Sequence, residues 1–237
     1  MPDASHRGLR EKTAACDFTL QHYRRLITSA LAAGYRCVGC AAYLERRDLP
    51  LLLLRHDVDL SLADAARMAA LEAEVRVRST YFVRVSARRY QIDTATGRRL
   101  IREILAGGHE VGLHFEGPSH PAGAAAELRA ARLRLEAACG ARVRGGTIHL
   151  PRRARYQPTL DQLVESGLDY DPGEPRFNRG AVFFSDARRD WGRLGCPCQY
   201  LEAGHLYVVT HPFWWCNPDC DAESVVRSLV SESVRRR

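Results

Sequence analysis

The chain has 237 residues, 46% of them hydrophobic and 27% charged, with a formal net charge of +7 at pH 7. This length suits one large α/β domain with a real core, and the composition is that of an ordinary globular protein. No apolar run nears the roughly 20 residues that a membrane-spanning helix requires, so no membrane partner is expected.

The positive charge raises the question of nucleic acid. Lys12 is the only lysine, and the remaining basic residues are arginines, a bias that GC-rich coding produces. The arginines are scattered, and many stand beside acidic residues on predicted helices. Their clusters (Arg152-Arg153 with Arg155, Arg188-Arg189, and Arg235-Arg236-Arg237) are short. They read as a solvated basic surface rather than a nucleic-acid footprint. The opening stretch MPDASHRGLREKTAACDF lacks the apolar core of a secretory signal, so a cytoplasmic protein is expected. In that setting the eight cysteines read as reduced thiols. Cys37-x-x-Cys40 and Cys216-x-x-x-Cys220 have spacings that zinc also accepts, which leaves a structural zinc site as an alternative.

In chain order, residues 17–34 read as a helix ending at Gly34. LLLLR at 51–55 is a buried strand. SLADAARMAALEAEV is a helix with Ser61 as its cap and Asp64 in its first turn. RSTYFVRV is a strand by its β-branched and aromatic content, and GRRLIREILAGG is a helix closed by glycines. HEVGLHFE alternates like a strand. AGAAAELRAARLRLEAACG is a long helix, GGTIHL a short strand and PTLDQLVESG a short helix. AVFFSD and HLYVVTHP are strands, and DAESVVRSLVSESV closes the chain as a helix. Strand and helix alternate, which predicts parallel strands with right-handed crossovers and favours a barrel over an open sheet. Residues 1–50 are expected to form a helical extension or cap, and residues 51–237 the barrel. No feature fixes an oligomeric state.

Five of these strands end in histidine or aspartate. LLLLR runs into His56, Asp57 and Asp59. HEVGLHFE supplies His114 and Glu116, with His120 just beyond. GGTIHL supplies His149, AVFFSD supplies Ser185 and Asp186, and HLYVVTHP supplies Thr210 and His211. In a closed parallel sheet these ends converge on one mouth. Neutral imidazoles with one carboxylate suit zinc, and also cobalt, nickel or iron. A second carboxylate and an opposed histidine would add a base and an acid, the groups that amide hydrolysis needs.

The ordered set LRHDVDLS, RSTYFV, GGHEVGLHFE and VVTHPFWW resembles the polysaccharide deacetylase (NodB-homology, carbohydrate esterase family four) superfamily. It is most similar to the divergent cytoplasmic branch whose first motif is HDVD, and the resemblance spans roughly residues 50–215. It implies a distorted (β/α) barrel of about seven parallel strands, one divalent metal, and removal of an acetyl group from an N-acetylated sugar. Position by position, Asp57 resembles the catalytic base, Asp59 the metal-binding aspartate, His114 the first histidine ligand and His211 the general acid. The close Asp57-Val58-Asp59 spacing leaves open an exchange of the two aspartates' roles. Common members carry a second histidine four residues after the first. Here that position is Pro118, so His149 or His120 must supply the third ligand, with His149-Leu-Pro the better match. Asp186 is expected to orient His211 or to cap a turn. Arg55 would lower both aspartates' pKa values or meet substrate, and Trp214 and Trp215 would each wall a sugar pocket or pack in the core. His109, at its strand's start, reads as structural.

The resulting expectation is a metal-dependent amidohydrolase, zinc first among the metals. Its substrate would be a small N-acetyl or N-formyl amino-sugar compound such as a sugar nucleotide or antibiotic intermediate. A degenerate barrel that binds such a ligand without turnover is one alternative, and a basic zinc-stapled nucleic-acid binder is another.

Overall fold

The computed structural model describes residues 16–46 and 50–234. The opening residues on which the signal-peptide reading rests, and the Arg235–Arg237 cluster, lie outside the described residues. Seven parallel strands form one curled sheet: β1 (Arg36–Val38), β2 (Leu51–Val58), β3 (Thr80–Arg84), β4 (Glu110–Phe115), β5 (Gly146–Ile148), β6 (Ala181–Ser185) and β7 (His205–Thr210). Their order is β5-β4-β3-β2-β7-β6, with β1 also on β2. Strands β5 and β6 do not pair, so the sheet is a half-barrel rather than a closed one. The helices are α1 (Leu20–Ala32), α2 (Cys40–Glu45), α3 (Leu62–Glu74), α4 (Ala95–Ala106), α5 (Ala124–Cys139), α6 (Leu160–Glu165), α7 (Pro175–Asn178), α8 (Pro212–Cys216) and α9 (Ala222–Val234). Among the described residues no helix is long and apolar enough to cross a membrane.

Strand β2 organises the molecule. On one edge β7 pairs with it from Leu51 to His56. A strand has only two edges, so β1, against Leu51–Leu53, and β3, against Arg55–Val58, share the other in tandem. Successive side chains point to opposite faces. Leu51 and Leu53 pack inside the curl with Phe82, Tyr207 and Val209. Leu52 and Leu54 pack outside with Leu26 and Ile27 of α1 and with Trp215. All four leucines are at most 1% exposed, each burial worth about 1.5–3 kcal/mol. The same alternation sends Arg55, Asp57 and Asp59 to the inner face above the leucines, and His56 to the outer one. Gly112 of β4 keeps the interior compact. A Cβ there would meet the Phe82 ring at 2.4 Å.

The described part of the N-terminal region packs directly onto the sheet. Strand β1 is hydrogen-bonded into the sheet, and Tyr23, Leu26, Ile27 and Ala30 of α1 are fully buried in the outer core. With three residues, β1 is too short to announce itself by periodicity, so its sequence reads as loop.

Candidate active site

Because every strand is parallel, the carboxyl ends of β2, β4, β5 and β7 open on one side. Asp59 follows β2, His114 lies on β4, and His149 follows β5. Asp59 Oδ1 is 3.2 Å from His114 Nε2 and 3.1 Å from His149 Nδ1, and the two ring nitrogens are 3.1 Å apart. All three residues are buried. His120 is exposed, and its Nδ1 accepts the Ala122 N–H at 3.2 Å, capping a turn. The structure therefore places His149, not His120, beside Asp59 and His114.

The donor atoms of the triangle are mutually unsatisfied. His114 Nδ1 faces the Thr147 carbonyl at 3.1 Å, and a carbonyl only accepts. The neutral ring's proton is then on Nδ1, and Nε2 turns a lone pair toward Asp59. Asp59 Oδ1 has no well-directed donor, and His149 Nε2 is buried without a hydrogen-bond partner. Neither neutral tautomer of His149 satisfies the set: one strands a lone pair at Nε2, the other points three lone pairs at one another. A divalent metal at the centre resolves this. Donor atoms about 2.0–2.1 Å from a tetrahedral zinc stand about 3.3 Å apart, close to the three observed separations. The donor set fits zinc, cobalt, nickel or iron alike.

Asp57 sits one side-chain period before Asp59. Arg55 grips it with both prongs, Nε to Oδ1 and Nη2 to Oδ2, each at 2.7 Å. Burial alone would raise Asp57. Arg55, with His114 and His211, outweighs it, and the net direction is down. Arg55 also reaches Thr147 Oγ1 at 2.9 Å and faces the larger cavity, so it meets that space while fixing Asp57.

His211, at the end of β7, faces Asp59 Oδ2 at 3.7 Å through Nε2. Its Nδ1 is 2.6 Å from Asp186 Oδ1. Asp186, fully buried, also accepts the Trp215 indole N–H at 2.7 Å. Burial alone would lower the His211 pKa. The Asp186 hydrogen bond and charge, with Asp59 and Asp57 behind, raise it to about 9.

Two cavities meet at these groups. One, of about 390 Å³, is lined by Arg55, Asp57, Asp59, His114, His149 and His211. A smaller one, of about 140 Å³, shares Asp57, Asp59 and His211 and is also lined by Leu60, Phe213, Trp214 and Leu229, with Arg153 and Arg188 among its other walls. Trp214 thus borders the site. Trp215 does not: it lines neither cavity and lies in the outer core, 1% exposed, with its indole committed to Asp186. Of the two readings that the sequence left open for it, Trp215 takes the core one, and the expectation that it walls a sugar pocket is corrected.

Of the other strand-end residues, Ser185 lines the larger cavity, whereas His56, Glu116 and His109 are engaged away from it. His56 turns outward to Thr210 Oγ1 at 2.6 Å and Glu72 Oε1 at 3.1 Å. Glu116 pairs with Arg84. His109 lies buried against the Ala69 carbonyl at 3.0 Å. Thr147 was not singled out by the sequence, yet it serves both His114 and Arg55, and its place two residues before His149 on one strand face was the available signal. Leu150 had none. It adopts a left-handed conformation (φ 46, ψ 60) immediately before Pro151, where a preceding residue is normally extended. Backbone strain of this kind persists where surrounding structure enforces it, often at functional sites.

No protein-family model and no curated protein matches the chain. Solved structures do. The chain is similar to the peptidoglycan deacetylase PdaC of Bacillus subtilis, with 14% identity, 78% of this chain and 85% of that one covered, and a TM-score of 0.49. It is similar to a family 4 carbohydrate esterase from Bacillus anthracis, with 16% identity, 89% and 85% covered, and a TM-score of 0.46. A CE4 family pseudoenzyme from the same organism gives 14% identity, 78% and 60% covered, and a TM-score of 0.43. Carbohydrate esterase family four is the family that the HDVD and THP motifs resemble. The likeness to these structures is one of fold. The chain spans about three fifths of the length of the pseudoenzyme structures it matches.

Proposed function

We propose that the protein is a metal-dependent deacylase that hydrolyses an N-acetyl or N-formyl group from a small amino-sugar compound. The observation that carries this reading is the convergence of Asp59 Oδ1, His114 Nε2 and His149 Nδ1 between an ionised carboxylate, Asp57, and an imidazole with a raised pKa, His211. Asp59, His114 and His149 would hold the metal, which when bound supplies Lewis acidity toward an acyl carbonyl and acidifies water.

The chain's own groups then divide the proton traffic. Asp57, kept anionic by Arg55, accepts a proton from the attacking water. His211, kept protonated by Asp186, donates one to the amine nitrogen as the C–N bond breaks. The balance is one amide and one water consumed, one carboxylic acid and one amine released. The small cavity bounded by Leu60, Phe213 and Trp214 suits the acyl group. The larger, polar one suits the sugar.

The test is acetate and formate release from a panel of N-acyl amino sugars and their nucleotide conjugates, by zinc-loaded wild type and Asp57→Asn. Release by wild type alone supports the reading. Panel compounds that bind but are never cleaved by the zinc-loaded wild type would sink it, and favour a binding barrel without turnover.

A further inference from the structure

A second group of metal-type ligands lies on the outer side of the sheet, independent of the site above. The sequence spacing drew attention to Cys37 with Cys40 and Cys216 with Cys220. The structure does not gather those four. Cys40 belongs to the inner core, Cys37 to the outer one, and Cys216 donates toward the Asp64 carbonyl. Other cysteines do come together. His22 Nε2, in the first turn of α1, lies 3.3 Å from Cys196 Sγ and 3.4 Å from Cys198 Sγ. The two sulfurs are 3.1 Å apart. Cys16, His22 and Cys196 bring their donor atoms within 4.8 Å of one another.

We propose that Cys16, His22, Cys196 and Cys198 form a structural zinc site. Three sulfurs and one imidazole are a complete tetrahedral donor set, the closed composition that structural zinc takes. Zinc with sulfur at about 2.3 Å and nitrogen at about 2.0 Å spaces its donors about 3.5–3.8 Å apart, so His22, Cys196 and Cys198 need move apart only slightly, while Cys16 and Cys198 must draw closer to seat it. The four ligands come in two local pairs, Cys16 with His22 and Cys196 with Cys198. One stands at the start of the described chain and the other on the connection between β6 and β7. Loading replaces three thiol protons with one Zn²⁺ and leaves the site with a single net negative charge. Arg25, whose Nη2 is 3.4 Å from His22 Nδ1, lies close enough to offset that charge. Asp17 Oδ1 lies 3.6 Å from the same nitrogen, and closing that gap by about 0.5 Å once Nε2 is ligated would give the outer-partner arrangement common to zinc-bound histidines.

The location gives the site a task. Phe18, between the first two ligands, packs on Trp191 and Trp215, with ring centroids 5.8 and 5.3 Å away. Trp215 in turn holds Asp186. Zinc here fastens α1 to the β6–β7 connection behind the carboxylate that positions His211.

Cobalt substitution of the full-length reduced protein is the experiment. Thiolate ligation gives cobalt an intense sulfur-to-metal charge-transfer band, and an Asp-His-His set gives none. The expected result is that band in wild type and in His114→Ala, its loss in Cys196→Ser and Cys198→Ser, and its persistence in Cys37→Ser and Cys220→Ser controls. Should the serine variants fail to fold, the wild type suffices. Titrating the zinc protein with p-hydroxymercuribenzoate should release one zinc equivalent that His114→Ala retains. A reduced wild type with no charge-transfer band and no mercurial-released zinc overturns the proposal. So does a band that survives Cys196→Ser.

Discussion

His211 Nδ1 lies 2.6 Å from Asp186 Oδ1, and the other oxygen of that carboxylate receives the His211 backbone N–H at 3.2 Å. One fully buried aspartate therefore holds both the ring and the main chain of the proposed acid. A general acid must be protonated, so turnover should fall as pH rises through the His211 pKa, raised in the fold to about 9. A cation at Asp59 cancels part of the negative field and moves that limb down. Asp186→Asn removes the largest raising influence, so the alkaline limb of kcat/KM should move to lower pH by ~1–3 units. A merely structural aspartate would reduce the amount of folded protein and leave the limb in place.

Arg55 and Asp57 form a bidentate pair on the inner face of β2. With its pKa lowered, Asp57 stays ionised to low pH and remains competent as a base there. Asp57→Asn should keep metal and lose about 10²- to 10⁴-fold in turnover, the usual worth of a positioned base. Arg55→Ala removes the largest influence that opposes burial, so the Asp57 pKa should rise and the acid limb of the profile should shift upward. Arg55→Lys cannot supply the two-pronged grip and should resemble Arg55→Ala. Elemental analysis alongside kinetics checks this pair. Metal lost from Asp57→Asn would reassign Asp57 as a ligand.

Glu72 is the anchor of the outer core. Its carboxylate accepts from Tyr23 OH at 2.6 Å and from Tyr81 OH and Ser79 Oγ at 2.7 Å each, with His56 at 3.1 Å. Burial alone would raise its pKa, but the imidazole and hydroxyl partners bring it down from 4.5 to about 2. The folded pKa is the lower one. The contribution is therefore complete above pH 4.5 and is lost as pH falls toward 2. Its size is about 3 kcal/mol. Glu72→Gln should remove a comparable amount at neutral pH and flatten the acid branch of the stability curve. Urea unfolding at pH 7 and pH 3 would reveal this, and an unchanged acid branch would mean Glu72 is not the group responsible.

The motif-bearing strands were legible because they obey simple periodicities. LLLLRHDVD is apolar on both faces while β2 crosses the core, then polar where it reaches the mouth. Parallel order follows from the alternation of strands and helices, and it alone brings Asp59, His114, His149 and His211 together. What the sequence concealed was either short or distant. Strand β1 and helix α8 are too brief for a period to form, and PFWWC reads as a pocket wall rather than as the helix that buries Trp215. The Cys16–His22–Cys196–Cys198 group joins residues up to 182 positions apart by numbering, and spacing rules look for ligands close in the chain. Cys37-x-x-Cys40 has the familiar spacing, but β1 runs straight into α2 there and sends the two thiols to different cores.

The choice between His149 and His120 yields the most discriminating comparison of variants. Asp59 Oδ1 and His149 Nδ1 are 3.1 Å apart inside the half-barrel, whereas His120 caps an exposed turn. Removing a true ligand should weaken metal binding by more than the about 10- to 100-fold lost with an outer partner. His149→Ala should therefore lose the metal of this site, and His120→Ala should bind it like wild type. Leu150→Gly adds a finer probe. Glycine accepts the left-handed backbone without steric penalty, so it should relieve local strain and loosen the turn that delivers His149. Metal affinity should then fall modestly while thermal stability holds or rises. Zinc titration by calorimetry, with the cysteine site blocked by the mercurial, measures each variant. Equal affinities for His149→Ala and His120→Ala would take His149 out of the ligand set.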